Sequence, residues 1–170
     1  MTDLNFARWN KILGWLVFLI ALATFSLTVE PTASFWDAGE YIATSANLEI
    51  GHPPGAPLYQ MMGAFFATFA ADSDQVAMMI NFMSGLASAF TILFMFWSIV
   101  ILLLKVTGST QDLTKPNKIA ILGSAFVASV AFTFTDSFWF SAVEAEVYAM
   151  AACLMSILFP EGQIKTRKSF

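Results

Sequence analysis

The sequence has few charged residues. Only 12% of its 170 residues are Asp, Glu, Lys or Arg, well below the roughly 25% of an average soluble domain. In contrast, 58% of the residues are hydrophobic, and Phe alone occurs 18 times. This composition excludes an ordinary soluble domain and indicates an integral membrane protein.

Several chemical signatures are also missing. The chain has no Gly-x-x-x-x-Gly-Lys phosphate loop, no Cys/His metal cluster, no Gly-x-Ser-x-Gly elbow and no basic patch. Its one cysteine, Cys153, cannot form an internal disulfide. We therefore expect no nucleic-acid partner and no soluble nucleotide chemistry.

Four apolar segments reach or approach the length of about 20 residues that a bilayer span requires. They are residues 12–29, 76–104, 119–135 and 143–159. The predicted fold is all-α and integral to the membrane, with four transmembrane helices and amphipathic helices in the loop after the first. We assign residues 1–159 to this transmembrane domain and residues 160–170 to a cytoplasmic tail, and we expect the natural chain to continue beyond it.

The basic residues predict how the chain lies in the membrane. All eight occur before the first span, between the second and third, or after the fourth: Arg8, Lys11, Lys105, Lys115, Lys118, Lys165, Arg167 and Lys168. By the positive-inside rule these regions, with the N-terminus, are cytoplasmic. Residues 30–75, here called the acidic segment, hold six carboxylates and no Lys or Arg, and are predicted to face the periplasm or an organelle lumen. We favour a bacterial inner membrane over the endoplasmic reticulum.

Two apolar stretches, the first span itself and residues 57–71, have a second interpretation. The N-terminus resembles a signal peptide, but apolar residues continue past Ala23, so we interpret it as an uncleaved anchor. Residues 57–71 as a helix would be only about 22 Å long, so we predict an interfacial or re-entrant helix.

The acidic segment begins with a pair of carboxylates, Asp37 and Glu40. At i and i+3 they share one face of a helix, which Ser34 is predicted to cap so that it runs over about residues 35–48. Such a carboxylate can act as general base toward a hydroxyl or hold a cation. Acids near a helix N-terminus also simply stabilise the helix, so spacing alone leaves both interpretations open.

A second pair, Glu144 and Glu146, lies at the start of the fourth apolar segment. Carboxylates entering a membrane are costly unless they are paired, hydrated or metal-bound. At i and i+2 they cannot share one face of a regular helix, so one must point elsewhere or the backbone must be irregular. The pair could bind Mg²⁺ or Mn²⁺, or one acid could face water while the other accepts a hydrogen bond.

Three further features have a functional and a structural interpretation. His52, the only histidine, lies in the Gly/Pro-rich connector Gly51–Pro57, where it could donate to a phosphate, act as an acid, or brace the turn. Asn81 is predicted to bond between helices. The small residues Ser84, Gly85, Ser88 and Ala89 form a stripe typical of close helix packing.

Together these motifs resemble a known family. Residues 35–41 (FWDAGEY), 51–59 (GHPPGAPLY) and 139–149 (WFSAVEAEVYA) resemble a multi-pass family long catalogued as a domain of unknown function, whose animal relatives are protein O-mannosyltransferases. The layout is that of the start of a GT-C glycosyltransferase fold. Members are much longer, so this chain would be their N-terminal part.

The resemblance implies a transferase that moves a sugar, mannose first, from a polyprenyl-phosphate donor to a Ser or Thr hydroxyl of a protein. It implies Asp37 as general base, Glu40 as its support, and Glu144 and Glu146 as ligands of Mg²⁺ or Mn²⁺. It also implies substrate-binding roles for Tyr41, His52 and Trp139. The partners are then the bilayer, the lipid-linked donor and the acceptor protein.

Two alternatives remain open from the residues alone: an ion-coupled transporter segment, or a membrane scaffold whose acidic segment binds a partner. Transporter acids usually lie near the bilayer midplane, whereas these lie near one surface. Convergence of the two acidic motifs would favour the enzyme. The 170-residue chain alone is expected to be inactive, because its acidic segment holds no Lys or Arg for the leaving phosphate.

The predicted orientation can be tested by cysteine labelling in a Cys153→Ser background. A membrane-impermeant maleimide added from outside should label a cysteine placed at Ala70 and should spare one placed at Gly108. Labelling at Gly108 from outside would contradict the orientation.

Overall fold

The computed structural model describes residues 5–107 and 113–168, with side chains as far as residue 158. Within these residues the chain is helical and has no strand. The helices are α1 (Phe6–Leu27), α2 (Ala38–Asn47), α3 (Pro57–Ala67), α4 (Val76–Thr107), α5 (Lys115–Thr133), α6 (Asp136–Val143) and α7 (Val147–Lys168), with a 3-10 turn at Ser73–Gln75 before α4. The predicted all-α membrane architecture is confirmed.

Three helical stretches of the described chain are long and apolar enough to cross a membrane: Phe6–Leu27, Ser73–Thr107 and Lys115–Thr133. The fourth predicted span, 143–159, is not one continuous helix. It is interrupted after Val143, and α6 and α7 meet at 109°, so a fourth crossing exists only if this bent pair counts as one broken span. Helix α7 continues to Lys168, past the predicted domain boundary at residue 159.

Helix α4 is central, because it contacts each of the other six helices. The predicted small-residue stripe is buried along it: Ser84, Gly85, Ser88 and Ala89. A Cβ added at Gly85 would lie 3.4 Å from both the Ala142 carbonyl oxygen and Phe25 Cβ. Without a side chain at that position, α1 and α6 both approach α4 closely, as small residues allow in membrane helix packing.

Polar contacts join the ends of α1, α4 and α6. The Asn81 amide nitrogen donates to the carbonyl oxygens of Glu30 and Thr32, at 2.7 and 2.9 Å. Asn81 therefore fixes the backbone that follows α1, rather than bonding to a neighbouring helix as predicted. The Glu30 N–H donates to the Val143 carbonyl at 3.1 Å, which satisfies backbone groups where two chain segments leave regular helix.

The short helices α2 and α3 pack against each other at Gly63 and Ser45. A Cβ at Gly63 would lie 2.6 Å from Ser45 Oγ and 2.7 Å from Ser45 Cβ. These distances are below van der Waals contact, and Ser45 is fully buried. The position therefore requires glycine, and through it α2 is held against α3.

This contact predicts the stability of two matched glycine variants. Gly63→Ala should lower the free energy of unfolding, because overpacking costs about 1–3 kcal/mol and outweighs the ~1 kcal/mol gain in helix propensity. Gly123→Ala, on α5 with open space around it, should be neutral or slightly stabilising. Thermal unfolding followed by circular dichroism in detergent compares the two. A Gly63→Ala variant as stable as Gly123→Ala would contradict the close contact.

Candidate active site

The acidic segment starts with an unusual turn. Trp36 has φ +62°, in the left-handed region that costs a bulky residue roughly 1–2 kcal/mol. Helix α2 begins only at Ala38, with Asp37 at its N-cap. The predicted helix start near residue 35 and the predicted Ser34 cap are therefore wrong. The left-handed turn at Trp36 separates Ser34 from the start of α2 at Ala38. Ser34 Oγ has no hydrogen-bond partner among the described residues.

Glu40 binds His52 through both of its carboxylate oxygens. Oε1 accepts from the His52 backbone N–H at 2.6 Å, and Oε2 contacts His52 Nδ1 at 2.8 Å. The contact closes the connector onto the first turn of α2. Glu40 was predicted to support Asp37; its hydrogen bonds go instead to His52.

The connector is shaped to make this contact. A Cβ at Gly51 would lie 3.0 Å from both Glu40 Oε1 and Gln60 Nε2, so glycine leaves room for the carboxylate. Gly55, at φ +75°, donates its N–H to the His52 carbonyl at 2.8 Å. Glycine adopts this conformation readily, and the turn fixes His52 at its start.

The contact shifts both groups toward their charged forms. The backbone N–H of His52, followed by its ring, lowers the pKa of the exposed Glu40 carboxylate below its ordinary 4.5. The hydrogen bond that the His52 ring donates to Glu40, followed by the negative charge of Glu40, raises the pKa of His52 above its ordinary 6.5. The ion pair is therefore complete between the two values. It is lost as pH falls through the lowered Glu40 pKa or rises through the raised His52 pKa.

Aromatic rings join this pair to the transmembrane helices. The Tyr41 ring lies 6.2 Å from the His52 ring and 5.5 Å from the Tyr59 ring. Tyr59 is buried, and its hydroxyl lies 3.1 Å from Ser84 Oγ on α4. Sequence reasoning missed Tyr59, although it closes the GHPPGAPLY motif. Its register on α3 places it against α4.

The second acidic motif reaches the same region. The backbone is irregular at Glu144–Glu146, which is one of the two arrangements that the i, i+2 spacing allowed, and the intervening Ala145 is fully buried. Ala145 packs in one cluster with Ala38 of α2 and Tyr59 of α3. Asp37 and Glu146, each one residue from a member of that cluster, are thereby brought close together.

The electrostatic coupling of these side chains agrees with the packing. The negative charges of Asp37 and Glu144 both act on the Glu146 carboxylate. Burial raises the pKa of Tyr41, and the charge of Glu146, followed by those of Asp37 and Glu40, raises it further. The two acidic motifs, distant in sequence, thus form one acidic site around Tyr41.

Two acids of this site, Glu144 and Glu146, were predicted to bind a metal ion. Within the part of the chain that the structure describes, no three His, Cys, Asp or Glu side chains converge on a position for a metal ion. Both Glu40 oxygens are hydrogen-bonded to His52. The binding of Mg²⁺ or Mn²⁺ by Glu144 and Glu146 therefore stays a prediction.

Trp139 lies on α6 and makes other contacts. Its indole N–H donates to Thr28 Oγ1 at 3.0 Å, at the end of α1. It also lines an open, mostly apolar cavity of about 410 Å³ with Phe134, Asp136, Phe140 and Val143. The indole hydrogen bond of Trp139 joins α6 to the end of α1, whereas Tyr41 and His52 belong to the acidic site. Its substrate-binding role stays a prediction.

Comparison with known proteins points to the same family that the sequence motifs resemble. The family model described as "Protein O-mannosyl-transferase TMEM260 N-terminal domain" matches residues 37–162. The chain is 28% identical over 153 residues to protein O-mannosyl-transferase tmem260 of Dictyostelium discoideum, covering 89% of this chain and 17% of that protein. It is 26% identical over 142 residues to protein O-mannosyl-transferase TMEM260 of Mus musculus, covering 84% and 18%. The chain thus spans less than a fifth of either relative, and no solved structure matches it.

The Glu40–His52 pair predicts how the histidine titrates. In the ¹⁵N-labelled chain in detergent, the imidazole of His52, the only histidine, should titrate above 6.5 by NMR. Glu40→Gln removes the negative charge and should lower that pKa. Glu49→Gln, which neutralises an exposed carboxylate of the same segment, should leave it unchanged. Equal titration of His52 in the two variants would contradict the pairing.

Proposed function

We propose that this chain, which belongs to the protein O-mannosyl-transferase TMEM260 N-terminal domain family, forms the acidic half of a membrane glycosyltransferase site. The full-length enzyme would transfer a sugar, mannose first, from a polyprenyl-phosphate donor to a Ser or Thr hydroxyl of a protein. The site would face the periplasm or lumen, because the acidic segment holds no basic residue and the basic residues lie in the other connections.

The observation that carries this proposal is the convergence of the two acidic motifs. Asp37 precedes Ala38, and Glu144 and Glu146 flank Ala145, and both alanines are buried in one cluster with Tyr59. A scaffold that merely solvated one surface would gain nothing from placing these carboxylates together, because like charges repel. Sites that bind substrate and move protons use such clusters.

Asp37 is the best candidate for the general base. It is exposed, and its side chain makes no cap hydrogen bond, so its carboxylate is open to a substrate. Glu40, in contrast, has both oxygens engaged by His52. Asp37 would accept the proton of the acceptor hydroxyl, as a carboxylate within hydrogen-bond reach can do.

The bonds, electrons and protons of the proposed sugar transfer are all accounted for. The hydroxyl oxygen forms a bond to the anomeric carbon of the sugar while the bond from that carbon to the phosphate oxygen breaks. The electron pair of the broken bond leaves with the lipid phosphate, and the hydroxyl proton passes to Asp37. The chain's own part is to position the acceptor and hold the proton, and the developing phosphate charge requires N–H or cationic donors nearby.

Replacing the base tests this assignment. In the full-length enzyme, Asp37→Asn should lower sugar transfer by about 10²–10⁴-fold, because Asn keeps the size and polarity but cannot accept the proton. Transfer of labelled mannose from polyprenyl-phosphate mannose to a Ser/Thr peptide, in membranes with matched protein abundance, measures the loss. Asp72→Asn, in the turn before α4, is the matched control and should keep activity. Full activity of Asp37→Asn would refute the base assignment.

A further inference from the structure

The Glu40–His52 pair determines which imidazole nitrogen remains available. An ionised carboxylate only accepts hydrogen bonds, so Nδ1, 2.8 Å from Glu40 Oε2, must carry a hydrogen in either charge state of the ring. Nε2 is then the nitrogen that gains or loses a proton. No hydrogen-bond partner of Nε2 occurs among the described residues, and the His52 side chain is 48% exposed.

We propose that Glu40 is a positioning residue that holds His52 with its Nε2–H presented to the phosphate of the lipid-linked donor. This inference rests on the proposed function, because it assigns a hydrogen-bond donor to the lipid phosphate that leaves during sugar transfer. It gives Glu40 a role toward His52, to which its carboxylate is bonded, in addition to the predicted support of Asp37. It also places a hydrogen-bond donor for phosphate within the acidic segment, which holds no Lys or Arg.

The charge distribution explains why such a donor is needed. The segment carries six carboxylates, and a phosphate approaching Asp37 and Glu146 would be repelled by both. Charge-assisted N–H bonds to phosphate are roughly twice as strong as neutral ones. The hydrogen bond to Glu40, followed by the negative charges of Glu40 and Asp37, raises the pKa of His52, and this favours the protonated ring, the form in which Nε2 carries a hydrogen and donates.

The backbone geometry supports a positioning role. Glu40 accepts from the backbone N–H of His52 as well as from its ring, so the main chain and the side chain are fixed together. The Gly55 N–H bond to the His52 carbonyl closes the turn from the other side. The turn could be braced by the backbone bonds of His52 alone. The additional bond at Nδ1 fixes the orientation of the ring and leaves Nε2 accessible to a ligand.

The test observes the imidazole directly. The ¹⁵N-histidine-labelled chain is placed in lipid nanodiscs and titrated with undecaprenyl phosphate, with undecaprenol, or with inorganic phosphate. We expect undecaprenyl phosphate to shift the Nε2 resonance and raise the His52 pKa further, and undecaprenol to do neither. A shift with inorganic phosphate alone would show that the site reads the free anion rather than a lipid headgroup, which overturns the lipid-donor assignment.

Variants separate positioning from mere proximity. Glu40→Gln should weaken the apparent affinity for undecaprenyl phosphate roughly tenfold and mix the two neutral tautomers in the ¹⁵N spectrum. Glu49→Gln, the matched control, should change neither. Unchanged binding and an unchanged tautomer in Glu40→Gln would overturn the positioning role. The wild-type titration keeps the phosphate contact testable even where the variant fails to fold.

The two proposals fail in distinguishable ways. If His52 responds to undecaprenyl phosphate but Asp37→Asn keeps full transfer, the base assignment fails and the phosphate contact stands. If Asp37→Asn loses transfer while His52 gives the same spectrum with undecaprenyl phosphate and undecaprenol, the present inference alone is overturned.

Discussion

The packing of α4 is the constraint on which the rest of the structure depends. It contacts every other helix, and its buried stripe of small residues lets neighbouring backbones approach closely. Gly85 admits the Ala142 carbonyl and Phe25, and Ser84 meets the Tyr59 hydroxyl. In lipid there is little hydrophobic force between helices, so close van der Waals contact and such polar links must hold them together. Any shift of α4 would therefore separate the elements that carry the two acidic motifs.

The site that α4 assembles brings together carboxylates that repel one another. Carboxylates from α2 and from the α6–α7 break lie close enough to act on one another, and like charges in a partly desolvated region repel. The Glu40–His52 pair offsets this repulsion locally, because one acid is neutralised by the one histidine while Asp37 stays open. The arrangement separates two roles for two carboxylates one helical turn apart: one holds a neighbouring side chain and the other remains available to a substrate.

Features that depend on composition and on the helical spacing of residues could be predicted from the sequence. Hydropathy located the long helices, and small residues at helical spacing located the packing stripe. The i, i+2 spacing of Glu144 and Glu146 left irregular backbone as one of two possibilities. It could not predict the pairing of Glu40 with His52, because a contact across twelve residues depends on how the connector folds back. Nor could it place the start of α2, since the left-handed turn at Trp36 opposes the local preference of a bulky residue. The Ser34 cap failed for the same reason.

Both acidic motifs enter the site at positions where the backbone departs from regular helix. Trp36 adopts a left-handed conformation immediately before Asp37, and Glu144 is extended where a continuous apolar helix was expected. The left-handed turn at Trp36 is unfavourable by itself, and the break at Glu144 interrupts the helical hydrogen bonds, so surrounding contacts must compensate at both places. Here those contacts are the burial of Ala38 and Ala145 against Tyr59, and the bond from the Glu30 N–H to the Val143 carbonyl. Packing that serves only stability would be satisfied by regular helices, so the coincidence of both breaks with carboxylates argues that the fold is shaped around this site.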